Sequence, residues 1–252
     1  MTVFEQSGHR VRLEWGGEGV AALSRECAVL VVVDVLVFTT TVDVALGRGA
    51  RVLPYATDDE AAREAARRRG AHLTEVGLAT STAGSTATGG RWSLRPSSLT
   101  EVPPGTLLGI HSPNGGTLCA RAARAGAHVL AGCLRNASAV AAKAEELAAG
   151  RPIGVIAGGE RWRVDGRPLR PSVEDYLGAA AIVHALAPAG RSAEAELAAS
   201  AFASVRDRVP ALLADSVSGR ELIEAGVPGD VELAGAVDSS TLAPVLVDGI
   251  FG

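Results

Sequence analysis

The sequence predicts an α/β fold with a mainly parallel sheet flanked by helices. Over about the first 185 residues, strand-like runs alternate with helical patterns, the order typical of this class. Each run is apolar on consecutive positions rather than on every second one, as expected for strands covered on both faces. Most helical patterns close on glycine, which best tolerates the left-handed backbone after a helix end.

Each predicted element follows from its own residues. The apolar runs predict strands over residues 28–36, 51–56, 106–112, 128–134 and 153–159. The helical patterns cover residues 39–49, 56–70, 115–126, 136–150 and 172–187. Two stretches interrupt the alternation. Residues 79–105, rich in Ser, Thr, Gly and Pro, predict a long loop, and residues 158–175 contain the sequence Val-Asp-Gly of a tight hairpin turn.

The C-terminal part of the chain does not continue the alternation of strands and helices. It predicts a helix over 193–216, a second helix over 218–226, and extended segments over 230–238 and 242–251. We therefore expect residues 1–252 to form one unit, in which a main lobe of about residues 1–190 is followed by a C-terminal α/β lobe over about 191–252.

Composition excludes several classes of protein. A formal net charge of −4 over 252 residues gives no reason to expect nucleic acid as a partner. No run of about 18 apolar residues occurs, so no membrane association is expected. The three cysteines form no CxxC pair and argue against a disulfide framework, which favours a cytoplasmic location.

Polar residues follow the first predicted strand. Ligands of open α/β sheets collect at the carboxyl ends of the strands, where Asp34 could bind a divalent cation or act as a nucleophile. Thr39 and Thr40 lie near the next helix start, where hydroxyl and backbone N–H groups could hold an anion. Alternatively, Asp34 faces solvent or caps a turn, and the threonines only cap the helix.

The third and fourth predicted strands lead into further polar loops. Ser112, Asn114 and Gly115 combine a hydroxyl, an amide and close backbone approach before a helix. The loop lacks the spacing and the lysine of a Walker A motif, and an ordinary strand-to-helix turn would look the same. Arg135 offers a bidentate fork for an oxyanion, or it is a surface arginine beside the helix-capping residue Asn136.

The fifth strand and the following helix supply more charged groups. Glu160 and Arg161 follow the strand, and Glu174 and Asp175 lie in the first helical turn, where acids also suit the helix dipole. Acids and anion-binding groups together at successive strand ends indicate Mg²⁺ and a phosphorylated small molecule. The histidines show no HxxxH spacing, so a zinc site is not expected.

Several segments together resemble a known family. They include "VVVDVLVFTTTVDVALGRGA", "SPNGGTL", "GCLRNASAVA", "AGGERW" and "SVEDYLGAAAIV", in that order. In these segments and in its C-terminal part, over roughly residues 28 to 250, the chain resembles the 2-phosphosulfolactate phosphatases of coenzyme M biosynthesis and their bacterial relatives. The resemblance implies an α/β fold in two lobes with the site between them. It also implies Mg²⁺-dependent hydrolysis of a phosphate monoester of a small acid, 2-phospho-3-sulfolactate in the named members.

The resemblance and the chemistry of the strand ends give one set of expected site residues. The expected catalytic residues are Asp34, Asp175 and Glu160, and the expected Mg²⁺ ligands are Asp34, Glu174 and Asp175. The expected substrate-binding residues are Thr39, Thr40, Ser112, Asn114, Gly115, Arg135, Asn136 and Arg161. Attack on phosphorus by Asp34 and attack by water both remain open.

One departure from the family motivates an alternative function. Relatives commonly have an arginine directly after "DVL", whereas Val37 and Phe38 stand here. The alternative is a non-catalytic or chemically diverged member that binds a small anionic metabolite. Arg91 or Arg95 could supply the missing charge from the long loop. The apolar segments 211–216 and 234–240 could face a second copy of the chain in a homo-oligomer, or the core.

Overall fold

A computed structural model describes residues 3–75 and 92–252, and it confirms the α/β fold. The strands are β1 (Val11–Trp15), β2 (Val29–Val33), β3 (Arg51–Tyr55), β4 (His72–Leu73), β5 (Leu107–His111), β6 (His128–Gly132), β7 (Ile153–Ala157), β8 (Glu160–Arg161), β9 (Leu169–Arg170), β10 (Leu246–Val247) and β11 (Ile250–Phe251). The α-helices are α1 (Gly16–Leu23), α2 (Phe38–Gly47), α3 (Glu60–Arg68), α4 (Gly115–Arg124), α5 (Ala137–Ala148), α6 (Val173–Ala185), α7 (Ala193–Val205), α8 (Val209–Asp215), α9 (Val217–Glu224) and α10 (Pro228–Gly235). Short 3₁₀ helices cover Val3–Glu5, Pro96–Leu99 and Arg206–Arg208.

The strands are divided between two larger sheets and one hairpin. The main sheet has the order β1-β7-β2-β6, and its neighbouring strands are all parallel. The second sheet has the order β10-β11-β3-β5-β4, with parallel pairing of β3, β4 and β5 and an antiparallel β10–β11 edge. Strands β8 and β9 form an antiparallel hairpin. The carboxyl ends of β2 and β7 lie side by side, because Val33 pairs with Ala157.

Strand β2 is buried on both faces. Val29, Val31 and Val33 belong to a core formed with residues of α5, α6 and α7. Leu30 and Val32 point to a second core formed with residues of α1, α2 and α4. The alternation follows from the two-residue period of a strand, and it explains why this run is apolar at every position.

Some sequence predictions are confirmed and others are wrong. The hairpin predicted within residues 158–175 is present as β8–β9. The extended segment predicted over 230–238 is wrong, because Pro228–Gly235 forms helix α10 and buries Val231 and Ala234 on one helical face. The helix predicted over 193–216 is broken by the 3₁₀ turn Arg206–Arg208.

Other parts of the fold were either missed or remain predictions. The sequence did not predict β1 and α1, in which charged residues interrupt the apolar pattern. Residues 79–91 of the predicted long loop lie outside the described residues. The division into lobes near residue 190 stays a prediction, and α7, which follows it, packs against α6 and β1. No helix in the described ranges is long and apolar enough to cross a membrane.

Candidate active site

Asp34 lies directly after β2, at the N-termini of two helices. Its Oδ2 accepts a hydrogen bond from the backbone N–H of Gly115, the first residue of α4, at 2.8 Å. Its Oδ1 accepts one from the N–H of Phe38, the first residue of α2, at 3.4 Å. The side chain is only 7% exposed. Helix N-termini favour negative charge, so this position suits a carboxylate or a bound anion.

Asp175, in the first turn of α6, joins the ends of β2 and β7. Its Oδ1 accepts a hydrogen bond from the N–H of Val35 at 2.7 Å. Its Oδ2 accepts hydrogen bonds from the N–H of Gly159 at 2.7 Å and from the hydroxyl of Ser172 at 3.0 Å. These three bonds fix both the carboxylate and the loops that surround it.

Gly158 lies between the two aspartates. A Cβ atom at this position would lie 3.5 Å from Asp175 Oδ2 and 3.6 Å from Asp34 Cβ. It would also lie 2.9 Å from the carbonyl oxygen of Val33, which is closer than real Cβ atoms approach backbone. The glycine therefore permits the close approach of the two strand ends that brings Asp34 and Asp175 together.

Two glutamates complete a group of four acids. Glu174 is buried, and its Oε1 has no hydrogen-bond partner among the described residues. Glu160, at the start of β8, accepts a hydrogen bond from Asn114 Nδ2 at 3.2 Å. The negative charge of Glu174 acts on the other three acids. The structure thus brings together Asp34, Glu160, Glu174 and Asp175.

Burial is the main cause of altered acidity in this group. It raises the pKa of Asp34 to about 6, although N–H groups of Gly115 and Phe38 act in the opposite direction. Burial, followed by the charges of Asp34 and Glu174, raises the pKa of Glu160 to about 7. The same causes raise the pKa of Asp175 well above its usual value. A carboxyl group with a pKa near 7 can both donate and accept a proton at neutral pH.

The four acids suit a hard divalent cation in their chemistry. In the described ranges, no three metal-binding side chains form a preassembled metal site. Mg²⁺ commonly takes only one or two protein carboxylates and completes its shell with water and substrate phosphate. The unpartnered Oε1 of Glu174, beside other buried acids, supplies an oxygen ligand of the required kind. The residues present therefore fit Mg²⁺.

The predicted threonines hold the loop after β2. Thr39 Oγ1 donates to the carbonyl oxygen of Asp34 at 2.8 Å, and Thr40 Oγ1 donates to that of Val35 at 2.8 Å. Both side chains are fully buried. These hydroxyls thus fix the conformation of the segment that carries Asp34.

The loop between β5 and α4 lies against Asp34. Gly115 contacts Asp34 directly, and Asn114 links this loop to Glu160. Ser112 is buried, and its Oγ accepts a hydrogen bond from the N–H of Gly116 at 3.0 Å. Ser112 therefore orders the first turn of α4, whose Gly115 N–H donates to Asp34.

Arg135 and Asn136 make contacts elsewhere. Arg135 Nε donates to Asp43 at 2.8 Å, and its Nη1 donates to the carbonyl oxygen of Leu233 at 3.0 Å. Asn136 is fully buried, and its Oδ1 accepts a hydrogen bond from the N–H of Cys133 at 2.8 Å. Both residues fix the turn after β6, and none of these bonds reaches the four acids.

The position of the expected family arginine is apolar and closed. Val37 and Phe38 are 4% and 1% exposed. Of the two suggested replacements, Arg95 forms an ion pair at 2.9 Å with Asp230, whose side chain is fully buried. Arg91 lies outside the described residues.

A cleft opens beside Glu160. Its volume is about 410 Å³, and it lies between the loop after β2, the β8–β9 hairpin and α9. We call it the hairpin cleft, and its lining includes Leu36, Glu160, Arg163, Ser218, Glu221 and Leu222.

Arg161 and Arg170 occupy different faces of the hairpin beside this cleft. Arg161 is exposed and pairs with Leu169, whereas Glu160 pairs with Arg170. Because successive residues of a strand point to opposite faces, Arg161 points away from the Glu160 face. The sequence alone does not single out Arg170, because its place beside Glu160 follows from the register of the hairpin.

Fold and site together define the class of protein. Buried carboxylates, helix N-termini and a cleft meet at the carboxyl edge of a parallel sheet, which is where α/β enzymes bind small ligands. The family model described as 2-phosphosulpholactate phosphatase matches residues 20–249, and the chain therefore belongs to this family. Its function is accordingly 2-phosphosulfolactate phosphatase-like, in the class of phosphoric monoester hydrolases. A search of curated proteins gave no match.

Proposed function

We propose that this protein is a Mg²⁺-dependent phosphatase that hydrolyses a small phosphorylated acid, 2-phosphosulfolactate or a related phosphate monoester. The single observation that carries the proposal is the unpartnered buried Oε1 of Glu174 beside Asp34 and Asp175. Burying charged carboxylates together without a counter-charge is costly. A cation at this place would offset that cost. The three acids are therefore better suited to binding a metal than to stabilising the protein without one.

We assign roles to the acids from their contacts. One or two of the carboxylates of Asp34, Glu174 and Asp175 would hold Mg²⁺, which when bound supplies positive charge to the phosphoryl oxygens. The positive end of the α4 helix dipole would attract the phosphoryl group, as helix N-termini do in other phosphate sites. Glu160, with its raised pKa, would donate a proton to the leaving oxygen as the P–O bond breaks.

Two routes of attack on phosphorus are compatible with these roles. Asp34 can attack directly and form an acyl phosphate that water then hydrolyses, or water can attack in a single step. The stereochemical course at a chiral phosphorus atom distinguishes the routes. Two displacements retain configuration, and one displacement inverts it.

The proposal is tested with a panel of small phosphate monoesters, assayed for phosphate release with Mg²⁺ and with EDTA. We expect Mg²⁺-dependent release by the wild type and a loss of at least about a hundredfold in D34N, because the carboxylate charge is removed. D215N is the matched control, since the Asp215 side chain is 84% exposed and lies outside the site. Equal activity in D34N and wild type would exclude the assigned role of Asp34.

Val37 and Phe38 are buried and apolar where an arginine was expected. This favours one alternative, a family member that binds a small anionic metabolite without hydrolysing it. No turnover of any ester, together with ligand-dependent thermal stabilisation of the wild type, would support this alternative and exclude the phosphatase. Phosphate release that D34N abolishes would exclude binding alone.

We also propose a cytoplasmic location, which the three unpaired, buried cysteines support. Assembly into a homo-oligomer stays a prediction, and size-exclusion chromatography with light scattering measures it.

A further inference from the structure

We propose that Arg170 binds the acid group of the substrate that is not phosphorylated, and that it thereby selects phosphorylated acids over neutral phosphate esters. This inference rests on the proposed function, since it concerns the same site. It assigns the carboxylate or sulfonate of the substrate to the Arg170 guanidinium, beside the hairpin cleft, and the phosphoryl group to Asp34 and α4.

The β8–β9 hairpin places Arg170 beside the catalytic group. Glu160 and Arg170 are direct partners across the two strands, so their side chains share one face. The positive charge of Arg170 acts on Glu160. The hairpin is held at the acids by the hydrogen bond from the N–H of Gly159 to Asp175. Gly159 also lies close to the backbone of Arg170, since a Cβ at Gly159 would lie 3.0 Å from the carbonyl oxygen of Arg170.

The guanidinium of Arg170 keeps donors available for a ligand. Its hydrogen bond among the described residues is to Ser218 Oγ, at 3.2 Å, and Ser218 lines the hairpin cleft. Its Cζ lies 6.0 Å from the centre of the Trp162 ring. An arginine has five N–H donors in a planar fork that matches a carboxylate or a sulfonate. Ser218 uses one of them.

Two of the other arginines considered for anion binding are already paired with carboxylates. Arg95 and Arg135 are paired with the buried carboxylates of Asp230 and Asp43, respectively. In the described ranges, Arg170 forms no ion pair with a carboxylate, although Glu160 is its cross-strand neighbour. A partly buried cation without an anionic partner, at the edge of a cleft, is suited to an anionic ligand.

A chain of contacts connects this cation to the phosphoryl position. Gly115 contacts Asp34, its neighbour Asn114 contacts Glu160, and Glu160 lies opposite Arg170. A substrate with a phosphoryl group at one end of this chain and an acid group at the other would lie along Glu160. The class that fits is a small acid with a phosphate ester on a nearby carbon.

The test compares 2-phospholactate with isopropyl phosphate, which has the same phosphate ester but a methyl group in place of the carboxylate. We expect R170M to lower kcat/KM for 2-phospholactate by about tenfold to a hundredfold, the usual effect of losing a charge-assisted contact. For isopropyl phosphate the change should stay within about threefold. R167M is the matched control, because Arg167 is an exposed arginine of the same hairpin and, unlike Arg170, is not the cross-strand partner of Glu160.

The outcomes separate this inference from the proposed function. Equal losses for both esters in R170M, or no loss for either, would overturn the role of Arg170 while leaving the phosphatase intact. If the wild type hydrolysed neither ester, the proposed function would fail. Calorimetric binding of 2-phospholactate would then test the role of Arg170 by itself. Binding that is weakened tenfold or more in R170M and not in R167M would support the role of Arg170, and equal or undetectable binding would overturn it.

Discussion

Replacing Gly115 by alanine tests the contact between α4 and Asp34, because the expected effect on stability is opposite in sign to that of helix propensity. A glycine-to-alanine change inside a helix normally stabilises a protein by up to about 1 kcal/mol. Here the new Cβ would lie 2.4 Å from Phe38 Cδ1 and 2.7 Å from Asp34 Oδ2. Both neighbours are buried, so α4 or the loop after β2 must move.

The expected magnitude follows from these contacts. Overpacking of a buried site typically costs about 1–3 kcal/mol, and weakening the hydrogen bond from the Gly115 N–H to a charged oxygen costs about a further 1.5 kcal/mol. After the gain of about 1 kcal/mol in helix propensity, we expect a net loss of about 1.5–3.5 kcal/mol. For a chain of this size that loss lowers Tm by roughly 3–14 °C.

Thermal and urea unfolding of G115A measure this loss, and the phosphatase assay should show reduced kcat because Asp34 is displaced. G229A is the matched control, since Gly229 lies in the first turn of α10 and its Cβ would meet nothing within 4 Å. G229A should be neutral or slightly stabilising. A G115A protein with the stability and activity of the wild type would refute the reasoning that the α4 N-terminus is closed against Asp34.

Two further predictions concern pH and packing. Because the pKa of Glu160 is raised from 4.5 to about 7 by folding, its contribution to stability is complete below pH 4.5 and lost as pH rises through about 7. In EDTA, the free energy of unfolding of E160Q should equal that of the wild type near pH 4.5 and exceed it by on the order of 2–3 kcal/mol at pH 8. Plots of Tm against pH that run parallel for the two proteins would contradict this prediction. R95M leaves Asp230 buried without its counter-charge and should lower the free energy of unfolding by about 3 kcal/mol. In urea unfolding, R95M/D230N should recover most of this loss, and a negligible loss in R95M would contradict the prediction.

The sequence predicts strands well where an apolar run is continuous. Residues 29–33 are apolar at every position because both faces of β2 are covered. The run cannot specify its neighbours, however, so the division of the strands into two sheets was not predictable from it. Strand β1 was missed because Arg12 lies within it, 1% exposed, and is paired with Glu26 at 2.7 Å. An ion pair with a distant residue leaves no mark in local periodicity.

The candidate site shows the same limits. The prediction that acids would gather at the strand ends agrees with the structure, since the carboxyl ends of parallel strands share an edge. The hydroxyls of Thr39 and Thr40 were expected to face a ligand, but their partners are carbonyl groups of the preceding loop. Arg170 was not selected because its position opposite Glu160 depends on the register of the hairpin.

The hydrogen bonds of the two aspartates have a consequence for folding kinetics. Asp175 bonds to Val35 across 140 positions of the chain, and Asp34 bonds to Gly115 across 81. Contacts between such distant segments require loop closure, so we expect them to form late in folding. A ligand that binds only the assembled pair stabilises the native state but not the transition state, so it should slow unfolding and leave the rate of folding almost unchanged.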